Sequence, residues 1–314
     1  MKSPRTLEAS VRAPSVGGVV GAGAVRDFVA LTKPRIAVLV GLSAFVGGLL
    51  ASGPEAALLQ VAEATLWITC AAASASVLNQ VFERDLDRKM QRTADRPLPA
   101  GRVQVRDAIL FGAVLAVLGI AGLAVRFNLL AALLSLATLF AYTAIYTPLK
   151  RVSTLNTVVG AIPGAAAPLL GFVALRGAAE GWGLSLFAIL FVWQFPHFMA
   201  IAWLYREDYA RAGMRMLPAL PGCERVAGRA AWSYGLALLP VSLLPGARGE
   251  AGVVYTAGAM ALGLLYLAAA GRFAWRPSVR SARALLFASL LYLPILYLFI
   301  LSDPVVGIGA LTHG

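Results

Sequence analysis

The chain has 314 residues, of which 59% are hydrophobic and only 13% are charged, and its mean hydropathy is +0.77. A soluble domain carries about 25% charged residues, so this composition excludes a soluble enzyme, a disordered chain and a DNA-binding domain. The net charge of +12 would suit nucleic acid, but cytoplasmic loops of membrane proteins also collect Lys and Arg. We therefore expect a polytopic membrane protein that lies in the lipid bilayer and binds no nucleic acid.

Nine apolar runs follow one another along the chain. A helix needs about 20 residues to cross roughly 30 Å of hydrocarbon, and most of the runs approach that length. Only helices and closed barrels satisfy their backbone hydrogen bonds in lipid, and the alternating segments typical of a barrel are absent from the sequence. The sequence therefore predicts an all-α fold with nine transmembrane helices. The predicted spans are 36–53, 62–82, 108–125, 129–146, 155–175, 184–204, 231–245, 253–270 and 284–301.

The charge pattern supports this helix count and predicts a cytoplasmic N-terminus and an external C-terminus. All but three of the 27 Lys and Arg residues then fall on the cytoplasmic side, as the positive-inside rule requires. We expect a loosely ordered cytoplasmic tail over 1–30, a membrane domain over 31–302 and a short tail over 303–314. The long inner connections, 83–107 and 205–230, are rich in charged residues, so chemistry on a polar group would face the cytoplasm.

The clearest polar pattern lies where the second span ends. Asn79, Glu83 and Asp87 recur at every fourth position, which places them on one helical stripe about 12 Å long. Asp85 points to a different face. Oxygen ligands suit Mg²⁺, which usually takes one or two carboxylates together with substrate phosphates. The alternative is a solvated helix end, although carboxylates there oppose the helix dipole.

Two basic segments follow even-numbered spans. Arg92 and Arg96 are planar donors that suit phosphate oxygens, and the Pro-Leu-Pro-Ala-Gly run after them predicts an ordered turn. Tyr146 ends the fourth span, Lys150 and Arg151 follow it, and the three residues predict a second phosphate clamp. The alternative for both segments is a generic positive-inside loop.

The sixth span contains a Trp-Gln-Phe-Pro-His-Phe string that begins at Trp193. A histidine within a spanning helix predicts a functional site, and the alternative for His197 is a hydrogen-bonded packing residue. Trp193 and His197 lie one turn apart on one helix face. His197 and Asp208 are eleven residues apart, so we expect them to share a face of one continuous helix. Asp208 could then face the acidic stripe and complete a site for a metal and a diphosphate.

In combination, these motifs resemble the UbiA superfamily of intramembrane prenyltransferases, and the resemblance runs from about Leu31 to Leu301. The motifs similar to those of the superfamily are Asn79-x-x-x-Glu83-x-x-x-Asp87, Tyr146-x-x-x-Lys150-Arg151 and the segment around Asp208. Three further motifs are similar to those of the members that prenylate heme. They are Arg92-Thr-x-x-Arg96-Pro-Leu-Pro, the Trp-Gln-x-Pro-His-Phe string and Asp208-Tyr-x-x-Ala-Gly.

The resemblance implies nine helices bundled around a central cavity in a bacterial cell inner membrane, with an active site on the cytoplasmic side. It implies an Mg²⁺-dependent enzyme that transfers the farnesyl group of farnesyl diphosphate to a vinyl group of heme B. The products would be diphosphate and heme O, made for the heme A and terminal oxidase pathway. Contact with a downstream heme-modifying enzyme or with oxidase assembly is also implied.

The resemblance also assigns roles to the residues singled out above. Catalysis and Mg²⁺ binding fall to one group, diphosphate binding to a second and heme contact to a third. These groups are, in that order, Asn79, Glu83, Asp87 and Asp208; Arg92, Arg96, Lys150, Arg151 and Tyr146; and His197 with Trp193.

Three alternatives remain open at this point. Another prenyltransferase of the same fold would act on a quinone precursor. A membrane transporter would be favoured by inverted repeats with helices broken at the midplane, whereas the polar residues here gather at one membrane face. A non-catalytic oxidase assembly factor would have no need of an acidic stripe opposite basic clusters.

Overall fold

The computed structural model describes residues 22–52 and 58–306, and all regular elements in these ranges are helices. Nine helical segments within them are long and apolar enough to cross a membrane. The chain is therefore an all-α, multi-pass membrane protein, and the predicted fold class is confirmed.

Twelve α-helices occur in the described part of the chain. In order they are α1 (Ala22–Leu31), α2 (Pro34–Ser52), α3 (Leu58–Asp87), α4 (Val105–Arg126), α5 (Leu129–Phe140), α6 (Thr147–Leu149), α7 (Asn156–Arg176), α8 (Gly181–Leu204), α9 (Arg206–Arg211), α10 (Glu224–Ala247), α11 (Val253–Trp275) and α12 (Val279–Ser302). A π-helical turn, Ala141–Tyr146, joins α5 to α6, so these three pieces make one span, Leu129–Leu149.

All nine predicted spans coincide with helices, and the differences lie at the helix ends. Helix α3 continues five residues past the predicted end of the second span at 82. Helix α10 begins at Glu224, seven residues before the predicted start of the seventh span at 231. Hydropathy marks only the part of a helix that lies in hydrocarbon. The polar turns beyond it are helical as well, and those turns carry the candidate site.

The bundle has two halves. Helices α2, α3, α4, α5 and α7 pack together, as do α8, α10, α11 and α12, and α7 joins the halves by packing on α8. In the first half, α2 and α7 touch through their backbones. A Cβ atom at Gly171 would overlap the carbonyl of Ala44, and one at Gly47 would overlap the carbonyl of Pro168. Small residues allow such close approach of membrane helices.

The structure describes only part of each of the two predicted tails, 1–30 and 303–314. Residues 1–21 and 307–314 lie outside the described residues. The last residues of the predicted N-terminal tail, 22–30, belong to α1 and are helical rather than loosely ordered. At the other end, Asp303 accepts hydrogen bonds from the backbone amides of Gly252 and Tyr255 at 2.9 and 2.8 Å, which attaches the end of α12 to α11.

The prediction that His197 and Asp208 share one face of a continuous helix is wrong. The helix α8 ends at Leu204, and Tyr205 leaves the helical region with φ −113° and ψ 22°. A separate short helix, α9, then begins at Arg206. The three-turn spacing between His197 and Asp208 therefore does not set their relative direction.

Candidate active site

The predicted acidic stripe lies at the C-terminal end of α3. Asn79, Glu83 and Asp87 are all buried, with exposed fractions of 1%, 5% and 0%. Asp85 differs, since 68% of its side chain is exposed and it pairs with Arg84. Buried charges are costly unless they are paired, so a solvated helix end does not describe this stripe.

Both carboxylates of the stripe have a cationic partner from another segment. The Lys150 ammonium donates to Glu83 Oε1 at 2.6 Å, and the Arg96 guanidinium donates to Asp87 Oδ2 at 2.8 Å. Lys150 follows α6 and Arg96 lies in the loop after α3. The structure therefore brings together two of the predicted diphosphate-binding residues with the predicted metal ligands.

A third cation, Lys33, completes this group from the junction of α1 and α2. Its Nζ donates to Asn79 Oδ1 at 3.2 Å. Its backbone has φ 52°, a left-handed conformation that is uncommon for residues other than glycine. Burial, reinforced by the charge of Arg96, lowers the pKa of Lys33 to about 8. Lys33 is still mostly protonated at neutral pH, and a bound anion would favour its charged form further.

We call the six side chains that make these three contacts the polar cluster. It contains three cations and two carboxylates, and such an excess of positive charge attracts an anion. Its members are Lys33, Asn79, Glu83, Asp87, Arg96 and Lys150.

The loop after α3 is an ordered turn, as predicted. The backbone amides of Arg102 and Val103 both donate to the carbonyl of Pro97, at 2.9 and 3.2 Å. Gly101 has φ 74°, a left-handed conformation that glycine adopts readily. This turn returns the chain towards α3 and holds Arg96 beside the acidic stripe.

The second acidic segment lies beside the first but does not join it. Arg92 stacks over the ring of Tyr205 at 4.6 Å and donates to the hydroxyl of Tyr209 at 3.4 Å. Asp208 is buried and forms an ion pair with Arg211 in its own helix. Arg92 therefore links the loop after α3 to α9, while the carboxylate of Asp208 has a local partner.

The donor set of the stripe fits a divalent cation that is shared with an anionic substrate. In the described ranges, no three His, Cys, Asp or Glu side chains gather as a metal site, so Asp208 is not grouped with Glu83 and Asp87. However, Oδ1 of Asp87 is buried without a hydrogen-bond partner in this part of the chain. Because Mg²⁺ needs only one or two carboxylates when phosphates supply other oxygens, the stripe suits such a cation.

The residues of the predicted basic segment 146–151 do not all lie at the polar cluster. The Lys150 ammonium lies 4.4 Å above the ring of Tyr146. Thr147, one residue further on, accepts a hydrogen bond from Asn79 Nδ2 at 3.0 Å. Arg151 is exposed. Lys150 therefore belongs to the polar cluster, Tyr146 borders it, and Arg151 lies outside it.

The π-helical turn places Tyr146 at this border. Such turns widen a helix locally and are frequent at functional sites. The Tyr146 ring lies against Gly160 of α7, where a Cβ atom would overlap it. Both Tyr142 and Tyr146 line a cavity in the bundle. Tyr146 thus contacts the polar cluster on one side and the cavity on the other.

The cavity has a volume of about 400 Å³ and lies among α2, α3, α5, α7, α8 and α12. This volume falls within the range of small-molecule sites, about 300 to 1,000 Å³. Its α3 and α7 walls are mainly small and aliphatic and include Ala72, Ala75 and Ala167. Leu39 of α2 and Leu290 of α12 line the cavity and are 49% and 46% exposed. The cavity lining therefore extends to the outer surface of the bundle on α2 and α12.

The wall formed by α8 is aromatic and contains the predicted heme contacts. Trp193, His197 and Phe198 all line the cavity. The rings of Trp193 and His197 stack with centroids 5.0 Å apart. His197 Nδ1 lies 2.7 Å from the hydroxyl of Ser289 in α12, and Trp193 Nε1 donates to the Ser289 carbonyl at 3.1 Å. His197 is thus both a packed residue and part of the cavity surface.

Sequence reasoning missed three residues of this region. The sequence predicts Lys33 only as one of the positive-inside cations, and it predicts no role for Thr147 or Ser289. The contact of Lys33 with Asn79 spans 46 residues and that of His197 with Ser289 spans 92. Spacing along one helix carries no signal for such contacts.

Comparison with known proteins places the chain among prenyltransferases. Residues 40–300 match the model of the UbiA prenyltransferase family. The protoheme IX farnesyltransferase of Solibacter usitatus is 43% identical over 290 residues, which cover 89% of this chain and 99% of that relative. The protoheme IX farnesyltransferase of Koribacter versatilis is 38% identical and covers 90% of this chain and 94% of its own.

Solved structures show the same fold. A digeranylgeranylglyceryl phosphate synthase has a TM-score of 0.74 and 18% identity, covering 92% of this chain and 99% of that chain. A UbiA homolog from Archaeoglobus fulgidus bound to GPP and Mg²⁺ has a TM-score of 0.68 and 20% identity, covering 91% and 99%. Identities this low establish the fold alone. The family match and the full-length relatives go further: the chain belongs to the UbiA prenyltransferase family.

Proposed function

We propose that this protein transfers the farnesyl group of farnesyl diphosphate to a vinyl group of heme B, giving heme O and diphosphate. The observation that carries the proposal is the polar cluster, which lies beside a largely apolar cavity and meets it at Tyr146. An anionic head group and a prenyl chain need these two environments side by side. Several relatives at about 40% identity, named protoheme IX farnesyltransferases, support the choice of substrates.

The diphosphate binds at the polar cluster in this proposal. Lys33, Arg96 and Lys150 already point at oxygen atoms of α3 and would turn to the diphosphate oxygens when it arrives. These cations offset the negative charge that grows on the leaving group, which stabilises the transition state. Arg92 and Arg151 remain predicted contributors at the edge of this site.

We propose Asn79, Glu83 and Asp87 as the ligands of Mg²⁺, with Asp208 as a predicted fourth oxygen donor. The partnerless Oδ1 of Asp87 supports this assignment. When bound, Mg²⁺ would neutralise charge on the diphosphate and favour its departure. The homolog solved with GPP and Mg²⁺ is consistent with such a requirement.

The farnesyl chain lies in the cavity, against the alanine-rich wall of α3 and α7. This wall presents few groups that could hold water near the reacting carbon. Exclusion of water matters because water would otherwise capture the allylic cation before the intended acceptor.

Heme B lies against the aromatic wall of Trp193 and His197. A large apolar macrocycle suits this aromatic surface, whereas a diphosphate suits the cations. In the reaction, the bond between C1 of the farnesyl group and oxygen breaks, and its electron pair leaves with diphosphate. The vinyl electrons form the new carbon–carbon bond, and water adds to the resulting porphyrin-side cation and releases a proton.

We also propose the membrane location and the orientation of the enzyme that the sequence predicts. It would lie in a bacterial cell inner membrane, with the N-terminus and the polar cluster on the cytoplasmic side and the C-terminus outside. Heme O would pass to a downstream heme-modifying enzyme or to oxidase assembly. The distribution of Lys and Arg supports this orientation.

Heme extraction from membranes tests the choice of acceptor. The gene product is expressed in bacteria that lack heme O, and the extracted hemes are analysed by liquid chromatography and mass spectrometry. Wild type is expected to yield heme O, whereas Glu83→Ala is expected to yield only heme B. A prenylated quinone precursor with no heme O would contradict the proposal and favour a different prenyltransferase.

A further inference from the structure

The contacts of Ser289 define the protonation of His197. Ser289 is fully buried in α12. Its hydroxyl lies 2.5 Å from the carbonyl oxygen of Leu286 and 2.7 Å from His197 Nδ1. A carbonyl can only accept, and a hydroxyl has one proton to donate. The contact with Leu286 therefore uses the Ser289 proton.

The remaining contact must be donated by the imidazole. If the Ser289 proton points at Leu286, the Ser289 oxygen can satisfy Nδ1 only by accepting a proton from it. His197 is then the Nδ1–H tautomer, and Nε2 carries a lone pair. Among the described residues, Nε2 has no hydrogen-bond partner. Ser289 holds Nδ1 and the ring lines the cavity, so Nε2 is the ring nitrogen left for a ligand in that cavity.

The same serine also fixes the plane of the imidazole. Its carbonyl accepts from Trp193 Nε1 at 3.1 Å, and the Trp193 ring stacks on His197 with an angle of 21° between the ring planes. Trp193 is held in turn at its carbonyl by the hydroxyl of Tyr266 at 2.9 Å. His197 is therefore oriented by α8, α11 and α12 together.

A neutral imidazole whose Nδ1–H donates to an oxygen is the usual form of a metal-ligating histidine, because that hydrogen bond sets the tautomer and raises the basicity of Nε2. We infer that His197 and Ser289 form an axial ligand site for the iron of a porphyrin substrate, with Ser289 as the positioning residue. This inference rests on the proposed function for the identity of the porphyrin. Such a ligand would fix the position of the macrocycle in the cavity, so that an edge carrying a vinyl group can face the polar cluster.

Titration of the purified full-length protein with ferric heme B tests the site through its absorption spectrum. Wild type is expected to give the spectrum of heme with an imidazole ligand. His197→Ala should lose this spectrum, and added free imidazole should restore it by filling the vacated space. Ser289→Ala should weaken heme B binding about tenfold, since loss of an outer hydrogen bond to a metal ligand costs 10- to 100-fold in affinity.

Ser242→Ala is the matched control. Ser242 is also fully buried and also bonds to a residue of α12, the hydroxyl of Tyr292 at 2.7 Å, but it makes no contact with His197. Its heme affinity should stay within about twofold of wild type. Equal affinities of Ser289→Ala and Ser242→Ala, or an unchanged spectrum in His197→Ala, would overturn the inference. If Ser289→Ala does not fold, the imidazole response of His197→Ala decides the ligand.

Mass spectrometry of the wild-type samples after addition of farnesyl diphosphate and Mg²⁺ separates this inference from the proposed function. If heme O forms but the heme spectrum of His197→Ala equals that of wild type, the axial site is contradicted and the proposed function is retained. A ligand spectrum that depends on His197, without any farnesylated heme, keeps the site and overturns the function.

Discussion

Individual residues of α3 show how strongly position on a helix decides chemistry. Asp85 and Asp87 are two positions apart, yet the side chain of Asp85 is 68% exposed and that of Asp87 is 1% exposed. Two residues correspond to about 200° of rotation around a helix. One carboxylate therefore faces solvent beside Arg84, and the other faces Arg96 inside the polar cluster.

Asp87→Ala should lower the rate of prenyl transfer by about 100-fold or more, the usual cost of removing one group that stabilises charge in a transition state. Asp85→Ala removes the same carboxylate from the exposed face and should change the rate by no more than about twofold. Turnover of both purified variants, with membrane insertion checked in parallel, measures the difference. Equal losses would show that the stripe does not define the site.

Lys33→Met should raise the KM for farnesyl diphosphate about tenfold, because a charge-assisted hydrogen bond to the substrate is lost. Arg26→Met is the control, since Arg26 is an exposed cation on α1. Steady-state kinetics at several diphosphate concentrations distinguish the two variants. A KM for Lys33→Met that equals the value for Arg26→Met would remove Lys33 from the substrate site.

At the scale of helices, the sequence predicted much of what the structure contains. Run length and charge located all nine spans, because hydrocarbon thickness constrains how long an apolar helix must be. The break at Tyr205 and the π-helical turn Ala141–Tyr146 were not predictable in this way. Both are local changes of backbone within continuous apolar or amphipathic sequence, and the turn accompanies packing of Tyr146 on Gly160 from another helix.

Gly160→Ala should therefore be costly, although alanine favours helices more than glycine does. The added methyl group would overlap the Tyr146 ring, and overpacking of this kind costs about 1–3 kcal/mol of unfolding free energy. Displacement of Tyr146 should also lower turnover. Gly23→Ala adds the same group on α1, where no atom of the described residues lies within 4 Å apart from the adjoining backbone. Thermal unfolding and turnover of both variants are the measurements, and wild-type behaviour of Gly160→Ala would contradict the packing argument.

At the scale of the whole molecule, the site exists only because distant segments converge. Lys33 precedes α2, the acidic stripe ends α3, and Lys150 follows α6, 67 positions after Glu83. The motifs could be recognised singly from the sequence, and the resemblance grouped most of them. Their contacts could not be predicted, since Lys33 and Ser289 carry no local pattern, and Asp208 took a partner within its own helix.

The most direct test of the account is one reaction in a defined mixture. Purified protein is incubated with heme B, farnesyl diphosphate and Mg²⁺, and the hemes are analysed by mass spectrometry. The account predicts a heme that has gained one farnesyl group and one hydroxyl group, formed by wild type, lost when Mg²⁺ is chelated and nearly absent with Asp87→Ala. Unchanged heme B in the wild-type reaction, while the same protein prenylates an aromatic quinone precursor, would contradict it.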